Sequence, residues 1–360
     1  MVLIGKCEEM CSEAEKKLRY KEGLLHILEI KKGTEKNPRP LPDPKRVVKC
    51  FSRSAAGRES NENELRTPNA LQRTVNYLLL DVADNQIISW NNTYDFIVDR
   101  LLAVRQDIVI QDISRSYTIS LLQPIVKFYA YSAYRLCESP ISDFDPVLNK
   151  KNLQECLKKL LLIYDDFDYL QSKIGVLKDF CYNQEEFEIL FSDCRQFFEA
   201  LYILFNLGDT HCIYRGLKLE KKWRTNLVQN SIKMSLCYKN GNWIRLCRMM
   251  VKLPPLLAGI ASLHLPEIRR KTLEKMSIAF SSKNLSYPIE TLQKELLYGT
   301  KNELIFDCDR YGIKCSQSEI NFIKTDFDKF SKLVSTRKEK FVIDKFIDVK
   351  PSFVLKSNTF

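Results

Sequence analysis

Apolar residues recur at intervals of three and four along most of the chain beyond residue 66, the spacing of a helix face packed on a core. The first helix is predicted to begin at Thr67 and Pro68, because a hydroxyl can cap a helix and proline fits its first turn. Further helices are predicted over 94–113, 116–137 with a bend near Pro124, 149–162 and 183–207 capped by Asn149 and Asn183, 225–238, 243–251 and 266–277. Short connections between them favour an all-α fold, an irregular solenoid of helical repeats over 67–280.

The first 66 residues depart from this pattern. A short helical pattern covers 9–30, and we assign 1–30 to an N-terminal motif and helix. Four prolines at alternating positions from Pro38 to Pro44 favour an extended segment, because proline fixes its backbone angle and interrupts helices. Small polar residues over 52–63 predict a loop. Residues 31–66 are therefore predicted to form a basic, proline-rich arm that crosses the surface, with a rigid spacer as the alternative.

The pattern changes again after about residue 280. Compact helices are predicted over 288–297 and 302–311, with Gly312 at the helix-stop position. Alternating apolar residues over 320–324 and 341–345 predict the two strands of a basic ribbon. Two helices followed by a ribbon are the composition of a winged-helix module, which we assign to 281–350, with 351–360 as a tail. Such modules contact nucleic acid or another winged helix, and both alternatives stay open.

Charge adds to this picture because it is polarised. The chain has 56 Lys and Arg residues against 45 Asp and Glu residues, a net charge of +11. Residues 215–252 hold ten of the cations and a single carboxylate, and a second basic stretch covers 31–58. A concentrated positive surface attracts polyanions, so RNA or another single-stranded nucleic acid is a predicted partner, against the alternative of a solvated face. The predicted nucleic-acid-binding residues are Arg215, Lys218, Lys221, Lys222, Arg224, Lys324, Lys332, Arg337, Lys338 and Lys340.

Two further features bear on how nucleic acid would be held. Trp223 lies among the cations and can stack on a base, with a place in the core as the equal alternative. The helix predicted over 302–311 carries Glu303, Asp307 and Asp309, whose carboxylates would be repelled by the phosphates that flank a major groove. We therefore expect contact through the ribbon and the solenoid, with little sequence preference.

Apolar residues near the C-terminus predict a protein partner. The interface residues are Phe322, Phe327, Phe330 and Leu333, joined by Ile323 and Val334. A small ribbon cannot bury so much apolar surface by itself, and an interface of about 800 Å² per partner would cover it.

Common signatures of catalysis and cofactor binding are not found. The sequence has no glycine-rich phosphate loop, no nucleophile elbow and no zinc-protease helix. The twelve cysteines include no Cys-x-x-Cys pair and are accompanied by three histidines, so we predict no metal and no cofactor. The apolar runs fall short of the ~18 residues of a membrane span, and the N-terminus does not resemble a signal peptide. We expect a soluble intracellular protein without enzymatic activity.

The N-terminus carries a spaced motif of Gly5, Cys7, Met10, Cys11, Glu15 and Arg19. This motif resembles the opening motif of the SAC/GANP family of mRNA-export scaffolds, with Ser12 in the place of the family's usual proline. From the residues themselves, Met10, Cys11 and Leu18 are expected to face a core. Glu15 and Arg19 are expected to pair one helical turn apart. Packing and capping are therefore the preferred role of this motif.

Other stretches carry the same resemblance along nearly the whole chain. They are Arg66-Thr67-Pro68, Asp99-Arg100 with 104–107 and 111–112, and Asn240-Gly241-Asn242-Trp243. The resemblance implies a TPR/PCI-like helical solenoid that ends in a winged helix. It also implies a non-enzymatic scaffold of transcription-coupled mRNA export, in the nucleus and as far as the nuclear pore. The implied partners are a PCI-domain protein, a small acidic proteasome-lid-type subunit and nucleic acid.

The same resemblance supplies an alternative function. The sequence shows no Phe-Gly repeats ahead of the domain and no long centrin-binding helix after it, two features of the large family members. It is therefore similar to the short subgroup associated with centrosome duplication and spindle progression. In this alternative the protein is an adaptor in mitosis and lies in the cytoplasm, at the centrosome and on the spindle.

Overall fold

Helices dominate the computed structural model, which describes residues 3–52, 61–174 and 184–356, and they confirm the predicted all-α fold class. The helices are α1 (Glu13–Lys21), α2 (Pro68–Asn76), α3 (Trp90–Ile110), α4 (Arg115–Arg135), α5 (Pro146–Ile174), α6 (Gln184–Phe205), α7 (Thr210–Lys218), α8 (Asn226–Asn240), α9 (Trp243–Met250), α10 (Pro255–Ser262), α11 (Leu265–Ala279), α12 (Ile289–Glu295), α13 (Lys301–Arg310), α14 (Lys340–Ile343) and α15 (Pro351–Lys356). The strands are β1 (Tyr287–Pro288), β2 (Lys314–Cys315) and β3 (Glu319–Asn321). A π-helical turn, Tyr77–Val82, follows α2, and short 3-10 turns cover Ile27–Glu29 and Asp344–Phe346. Residues 53–60 of the predicted arm, the predicted cap Asn183 and residues 357–360 of the predicted tail lie outside the described residues.

Side-chain caps explain where several helices begin. The Thr67 hydroxyl accepts a hydrogen bond from the Ala70 amide (3.3 Å), so the predicted start of α2 is confirmed. The predicted cap Asn149 is wrong, because it lies buried inside α5. Asp145 stands at the start of α5 instead, and its Oδ1 accepts from the amides of Val147 (2.8 Å) and Leu148 (3.1 Å). Aspartate and asparagine cap helices equally well, so residue type alone does not distinguish the two positions.

The N-terminal segment is less helical than its pattern predicts. Helix α1 ends at Lys21, and Ser12 caps it by accepting from the Glu15 amide (3.3 Å). The helix turns Lys16 and Arg19 inward, so the expectation for Leu18 is wrong and its side chain is 56% exposed. The arm also enters the core, since Val47 and Val48 are fully buried. The basic composition of 31–66 masked these two apolar residues.

The described helices belong to two compact units, and each unit is discontinuous in sequence. Unit 1 comprises Met1–Tyr129, Asn152–Val176 and Lys350–Lys356. Unit 2 comprises the described residues within Ala130–Lys151 and Leu177–Val349. In unit 1, α15 packs on the π-helical turn Tyr77–Val82. In unit 2, α6 packs on α7, α8 and α10, and α8 packs on α9, as helices of successive repeats do.

A small sheet lies in unit 2 with α12 and α13. The strands are antiparallel in the order β1-β3-β2, and Ile320 of β3 stands opposite Tyr287 and Cys315. The predicted strand at 341–345 is wrong, because α14 and a 3-10 turn occupy it. A helical backbone turns Val342 into the core and lets Phe346 contact Tyr134 with ring centroids 5.4 Å apart. The winged-helix assignment of this module stays a prediction.

Candidate nucleic-acid and partner surfaces

The first two residues of the N-terminal motif, Gly5 and Cys7, hold the start of the chain against the segment 65–67. The amide of Gly5 donates to Oε1 of Gln111 (2.8 Å). A Cβ at Gly5 would lie 2.5 Å from the carbonyl oxygen of Leu65, so the position admits only glycine without a shift. Cys7 pairs with the segment around Arg66, since its amide donates to the Leu65 carbonyl (3.0 Å) and its carbonyl accepts from the Thr67 amide (3.0 Å). These contacts tie residues 5–7 to the start of α2.

The rest of the motif surrounds α1. Cys11 is fully buried, as expected, and burial raises the pKa of its thiol well above the ordinary value. Met10 is half-buried, and its carbonyl accepts from the Lys49 amide (3.0 Å). Glu15 lies 3.8 Å from Arg19, which confirms the expected pair, and it also accepts from the amide of Cys50 (2.9 Å).

Glu29 is the centre of a buried cluster in unit 1. Its carboxylate forms ion pairs with Arg19 and with Arg100, whose Nη2 lies 3.3 Å from both oxygens. The amides of Val48 and His26 also donate to this carboxylate, each at a distance of 3.1 Å. A fully buried carboxylate with two arginines and two amides is satisfied, so this cluster joins α1, the arm and α3.

Asp107 on α3 is the centre of a second buried cluster. It accepts from Lys49 Nζ (2.7 Å) and from Arg66 Nε (2.8 Å). Gln111, one turn further along, donates to the Arg66 carbonyl (3.0 Å). Arg66, Asp107 and Gln111 lie in the stretches that carry the family resemblance. Glu29 and Lys49 lie in none of these stretches, and nothing in the sequence predicts their role. Stretches that carry the family resemblance therefore contribute to the core of unit 1.

The predicted basic surface at 215–224 divides into neutralised and exposed cations. Arg215 is bidentate to Glu199, with Nε and Nη2 at 3.0 and 2.9 Å from its two oxygens. Lys222 pairs with Glu220 at 3.1 Å. Lys218, Lys221 and Arg224 are exposed, and none has a carboxylate at ion-pair distance among the described residues. The candidate phosphate-contacting part of this surface is therefore these three side chains.

Of the two alternatives for Trp223, base stacking or a place in the core, the structure favours the core. It is half-buried and packs against the apolar cluster of Ile203, Ile213, Leu219, Val228 and Ile232. The buried Arg195 guanidinium lies 4.6 Å from the centre of its ring. A ring held in this way by core and cation has little free face for a base.

The cations predicted in the C-terminal module also divide. Arg337 donates to Asp307 at 2.8 Å, and Lys338 lies 3.7 Å from Glu138. Lys324, Lys332 and Lys340 are exposed. Arg337 therefore stabilises the interior of the module, because its guanidinium is paired with the buried Asp307 carboxylate.

Asp307, on the second helix of this module, points into the interior. It is buried on α13 and accepts from the hydroxyl of Tyr298 (2.9 Å) as well as from Arg337. Burial and the neighbouring carboxylate raise the pKa of Tyr298 well above its ordinary value. Asp307 therefore does not point to solvent, and the expected repulsion of phosphate is left to Glu303 and Asp309.

The predicted partner residues fall into two groups. Phe322 is 1% exposed and Phe327 is buried, so both belong to the core of the module and cannot present their side chains to a partner. Their rings lie near those of Tyr287 (6.2 Å) and Tyr311 (5.8 Å). Phe330, in contrast, is 96% exposed. Leu333 is also exposed, so these two residues remain candidates.

The segment that presents Phe330 is held by its main chain. Arg270 on α11 donates to the carbonyl of Lys329 (2.6 Å), and Arg310 on α13 donates to the carbonyl of Lys332 (3.2 Å). The hydroxyl of Ser331 donates to the Arg310 carbonyl (2.8 Å). We refer to residues 328–334 as the anchored loop. Its backbone is fixed on two helices while its largest side chain projects into solvent.

Neither a metal-binding group nor a membrane-spanning helix is present in the described residues. They contain no group of three or more His, Cys, Asp and Glu side chains placed to hold a metal ion. In this part of the chain, no helix combines the length and the hydropathy needed to cross a bilayer.

Comparison with known proteins identifies the class to which this helical fold belongs. The profile of the SAC3/GANP family matches residues 10–317, and the chain therefore belongs to the SAC3/GANP family. It is similar to the protein named xmas of Drosophila melanogaster, with 24% identity over 327 residues, 87% of this chain and 15% of that protein. SAC3 family protein 1 of Schizosaccharomyces pombe is 24% identical over 358 residues, 92% of this chain and 32% of that protein. SAC3 family protein B of Arabidopsis thaliana is 23% identical over 369 residues, 95% of this chain and 20% of that protein.

The chain thus spans less than a third of the length of each of these relatives. The matched part includes the clusters around Glu29 and Asp107, the basic surface and strands β1 and β2 of the C-terminal module, but not β3. The anchored loop lies beyond the matched residues.

Proposed function

We propose that this chain is a non-enzymatic scaffold of a transcription-coupled mRNA export complex. Membership of the SAC3/GANP family supports the export role. The observation that carries partner binding is Phe330, an almost fully exposed aromatic side chain on a loop whose backbone is fixed. We propose a PCI-domain protein as the partner at this loop, with a small acidic subunit of the proteasome-lid type in the same complex.

The physical case rests on preorganisation. Binding orders side chains and loops, and a loop already fixed in the free protein avoids that cost. Large aromatic side chains that enter a partner's pocket supply most of the binding energy at many interfaces. Phe330 meets both conditions, and Leu333 adds exposed apolar surface three residues later.

Partner binding is tested by affinity measurement with a purified complex of a PCI-domain protein and the small acidic subunit. Phe330→Ala should weaken binding by about 30-fold, the effect of losing an interface anchor worth about 2 kcal/mol. Leu285→Ala is the matched control, because Leu285 is an exposed apolar residue of the same unit outside the anchored loop. Equal affinities for the wild type and Phe330→Ala would overturn this assignment.

We further propose that the exposed cations of the basic surface bind single-stranded nucleic acid with little sequence preference. Each neutralised phosphate contributes about 0.7 to the slope of log affinity against log salt for a single strand. Lys221→Ala with Arg224→Ala should therefore make that slope shallower by about 1.4. The double change Lys17→Ala with Lys21→Ala, on the exposed side of α1, removes the same charge and should leave the slope unchanged. A slope that both double variants lower equally would indicate a general charge effect.

The proposed place of action is the nucleus, including the nuclear pore. Imaging of the fluorescently tagged protein through the cell cycle tests this, with the nucleoplasm or the nuclear rim as the expected location. A persistent centrosomal focus would instead favour the mitotic adaptor.

A further inference from the structure

We propose that Tyr214, on the exposed face of α7, is the platform on which a base of single-stranded RNA stacks. This inference rests on the proposed nucleic-acid binding and assigns the stacking residue within it. From the sequence, Trp223 is the candidate for this role, with a place in the core as the equal alternative. Tyr214 is a different aromatic side chain, on the helix that precedes Trp223.

Helix α7 has one face fixed in the core. Cys212, Ile213 and Leu219 are buried, and Gly216 lies against α6 and α8. A Cβ at Gly216 would approach Ile232 to 2.9 Å and Ile203 to 3.0 Å, so these helices are in close contact. The opposite face of α7 is therefore held at the surface in one orientation.

That opposite face is both aromatic and basic. Tyr214 is 62% exposed, and no hydrogen bond to its hydroxyl is found in the described part of the chain. Lys218, one turn later, places its Nζ 6.0 Å from the centre of the Tyr214 ring. His211 and Leu217 are also exposed on this helix. An aromatic ring beside a cation is the combination with which proteins hold a base and its phosphate.

The local balance of charge favours an anionic ligand. Asp209, the carboxylate nearest to Tyr214 in sequence, caps the N-terminus of α7 by accepting from the Cys212 amide (3.0 Å). Glu199 and Glu220 are each engaged by arginine or lysine. Lys218, Lys221 and Arg224 follow Tyr214 along the chain, and none has a carboxylate at ion-pair distance among the described residues. A polyanion with stackable bases complements this surface, because phosphates meet the cations and a base meets the ring.

The ring of Tyr214 is more accessible to a base than the ring of Trp223. Trp223 packs on the core and has Arg195 at 4.6 Å from its ring centre. Tyr214 is the more exposed of the two, so a base can reach it without moving core residues.

The test compares the affinity of the protein for two fluorescent strands of equal length, a uridine 15-mer and an abasic 15-mer. Both strands carry the same phosphates, but only the first has bases that can stack. The full-length wild type should bind both, and the uridine strand more tightly. Tyr214→Ala should lower affinity for the uridine strand about tenfold and leave the abasic strand unaffected, because loss of one stacked base has this effect. Tyr214→Phe should bind both strands like the wild type. Lys218→Ala with Lys221→Ala should weaken both.

Tyr117→Ala is the matched control, since Tyr117 is an exposed tyrosine on another helix, and both strands should bind it like the wild type. If the wild type binds neither strand, the proposed nucleic-acid function itself fails. If it binds both and Tyr214→Ala changes neither, nucleic-acid binding stands and the stacking role is overturned. Equal weakening of both strands by Tyr214→Ala would also overturn it, because a stacking residue acts only where bases are present. Binding of a poly-glutamate peptide in place of both strands would identify an acidic protein as the ligand.

Discussion

Two buried carboxylates in unit 1 are surrounded by positive charge. Glu29 and Asp107 are fully buried, and each is surrounded by cations and amides from segments distant in sequence. Such clusters are sensitive to the loss of one member, because the remaining charges stay buried without compensation.

Asp107→Asn is expected to destabilise unit 1 by about 3–5 kcal/mol, since it leaves the buried guanidinium of Arg66 without its carboxylate. Urea unfolding monitored by circular dichroism measures the change. Glu62→Gln is the control, because its ion pair with Lys6 is largely exposed and should contribute less than about 1 kcal/mol. A similar small effect for both variants would show that the Asp107 cluster is not required for stability.

His26 gives this unit a pH dependence. Burial and then the nearby charge of Arg100 lower the pKa of His26, although Glu29 opposes the shift. Its Nδ1 accepts from the amide of Leu28 (3.3 Å), which requires the neutral ring. The unfolded chain therefore takes up a proton at higher pH than the folded chain, and stability should fall as pH drops below about 6.5.

The measurement is the melting temperature at pH 7.5 and at pH 5.5. His26→Asn keeps a side-chain acceptor for the Leu28 amide but removes the titration, so its loss of melting temperature between the two values should be smaller than that of the wild type. Equal losses would assign the acid sensitivity to other groups.

At the residue scale the sequence predicts local pairs well and distant partners poorly. Glu15 and Arg19 were predicted as a pair from their spacing and lie 3.8 Å apart. Glu29 has no such signal, because the residues around it come from α1, the arm and α3. Leu18 was assigned to the core by its type, whereas the ion pairs of Arg19 decide which side of α1 faces inward.

At the scale of elements, a glycine positions the first segment against α2 and α3. Gly5→Ala should destabilise unit 1 by about 1–3 kcal/mol, because its methyl group would overlap the Leu65 carbonyl and backbone would have to shift. Thermal unfolding measures this loss. Gly299→Ala is the control, since the atoms nearest to its methyl group would belong to the side chains of Glu303 (3.2 Å) and Lys340 (3.5 Å) and not to backbone. The idea fails if both variants melt at the same temperature.

The elements themselves were predicted where hydrophobic spacing is long and regular. Helices α3, α8, α9 and α11 lie close to their predicted ranges, since each has a continuous buried face. The segment 341–345 was assigned to a strand because its apolar residues alternate. Such a short run does not distinguish strand from helix, and contacts of Phe346 with Tyr131 and Tyr134 favour the helical arrangement.

Candidate surfaces were harder to predict than elements. The composition of the chain reveals the basic stretch. Only the structure shows that Arg215 and Arg337 form ion pairs with buried carboxylates. In the same way, Phe322 and Phe330 are equivalent in the sequence, and the sheet buries one while the anchored loop exposes the other. Surface exposure depends on distant packing, which a single sequence does not display.

At the scale of the whole molecule, the last described helix completes unit 1. Val354 and Leu355 of α15 are buried, and the amide of Ser352 donates to Asp84 (2.9 Å) beyond the π-helical turn. Val354→Asp with Leu355→Asp should therefore destabilise unit 1 by about 3–5 kcal/mol through lost burial of two apolar side chains. Lys356→Ala, at an exposed position of α15, should change stability by less than about 0.5 kcal/mol. Limited proteolysis followed by mass spectrometry tests this, with new cuts expected before residue 130 in the double variant alone.

The division of unit 1 along the chain also has a consequence during translation. Domains generally fold as units while the ribosome is still extending the chain. Unit 1 begins at the N-terminus, but its last segment, Lys350–Lys356, is synthesised only after nearly all of unit 2. At ordinary rates of synthesis the wait after residue 176 is on the order of ten seconds or more. During that interval the surface around Tyr77–Val82 lacks its covering helix, so we expect its apolar side chains to be open to aggregation until α15 is made.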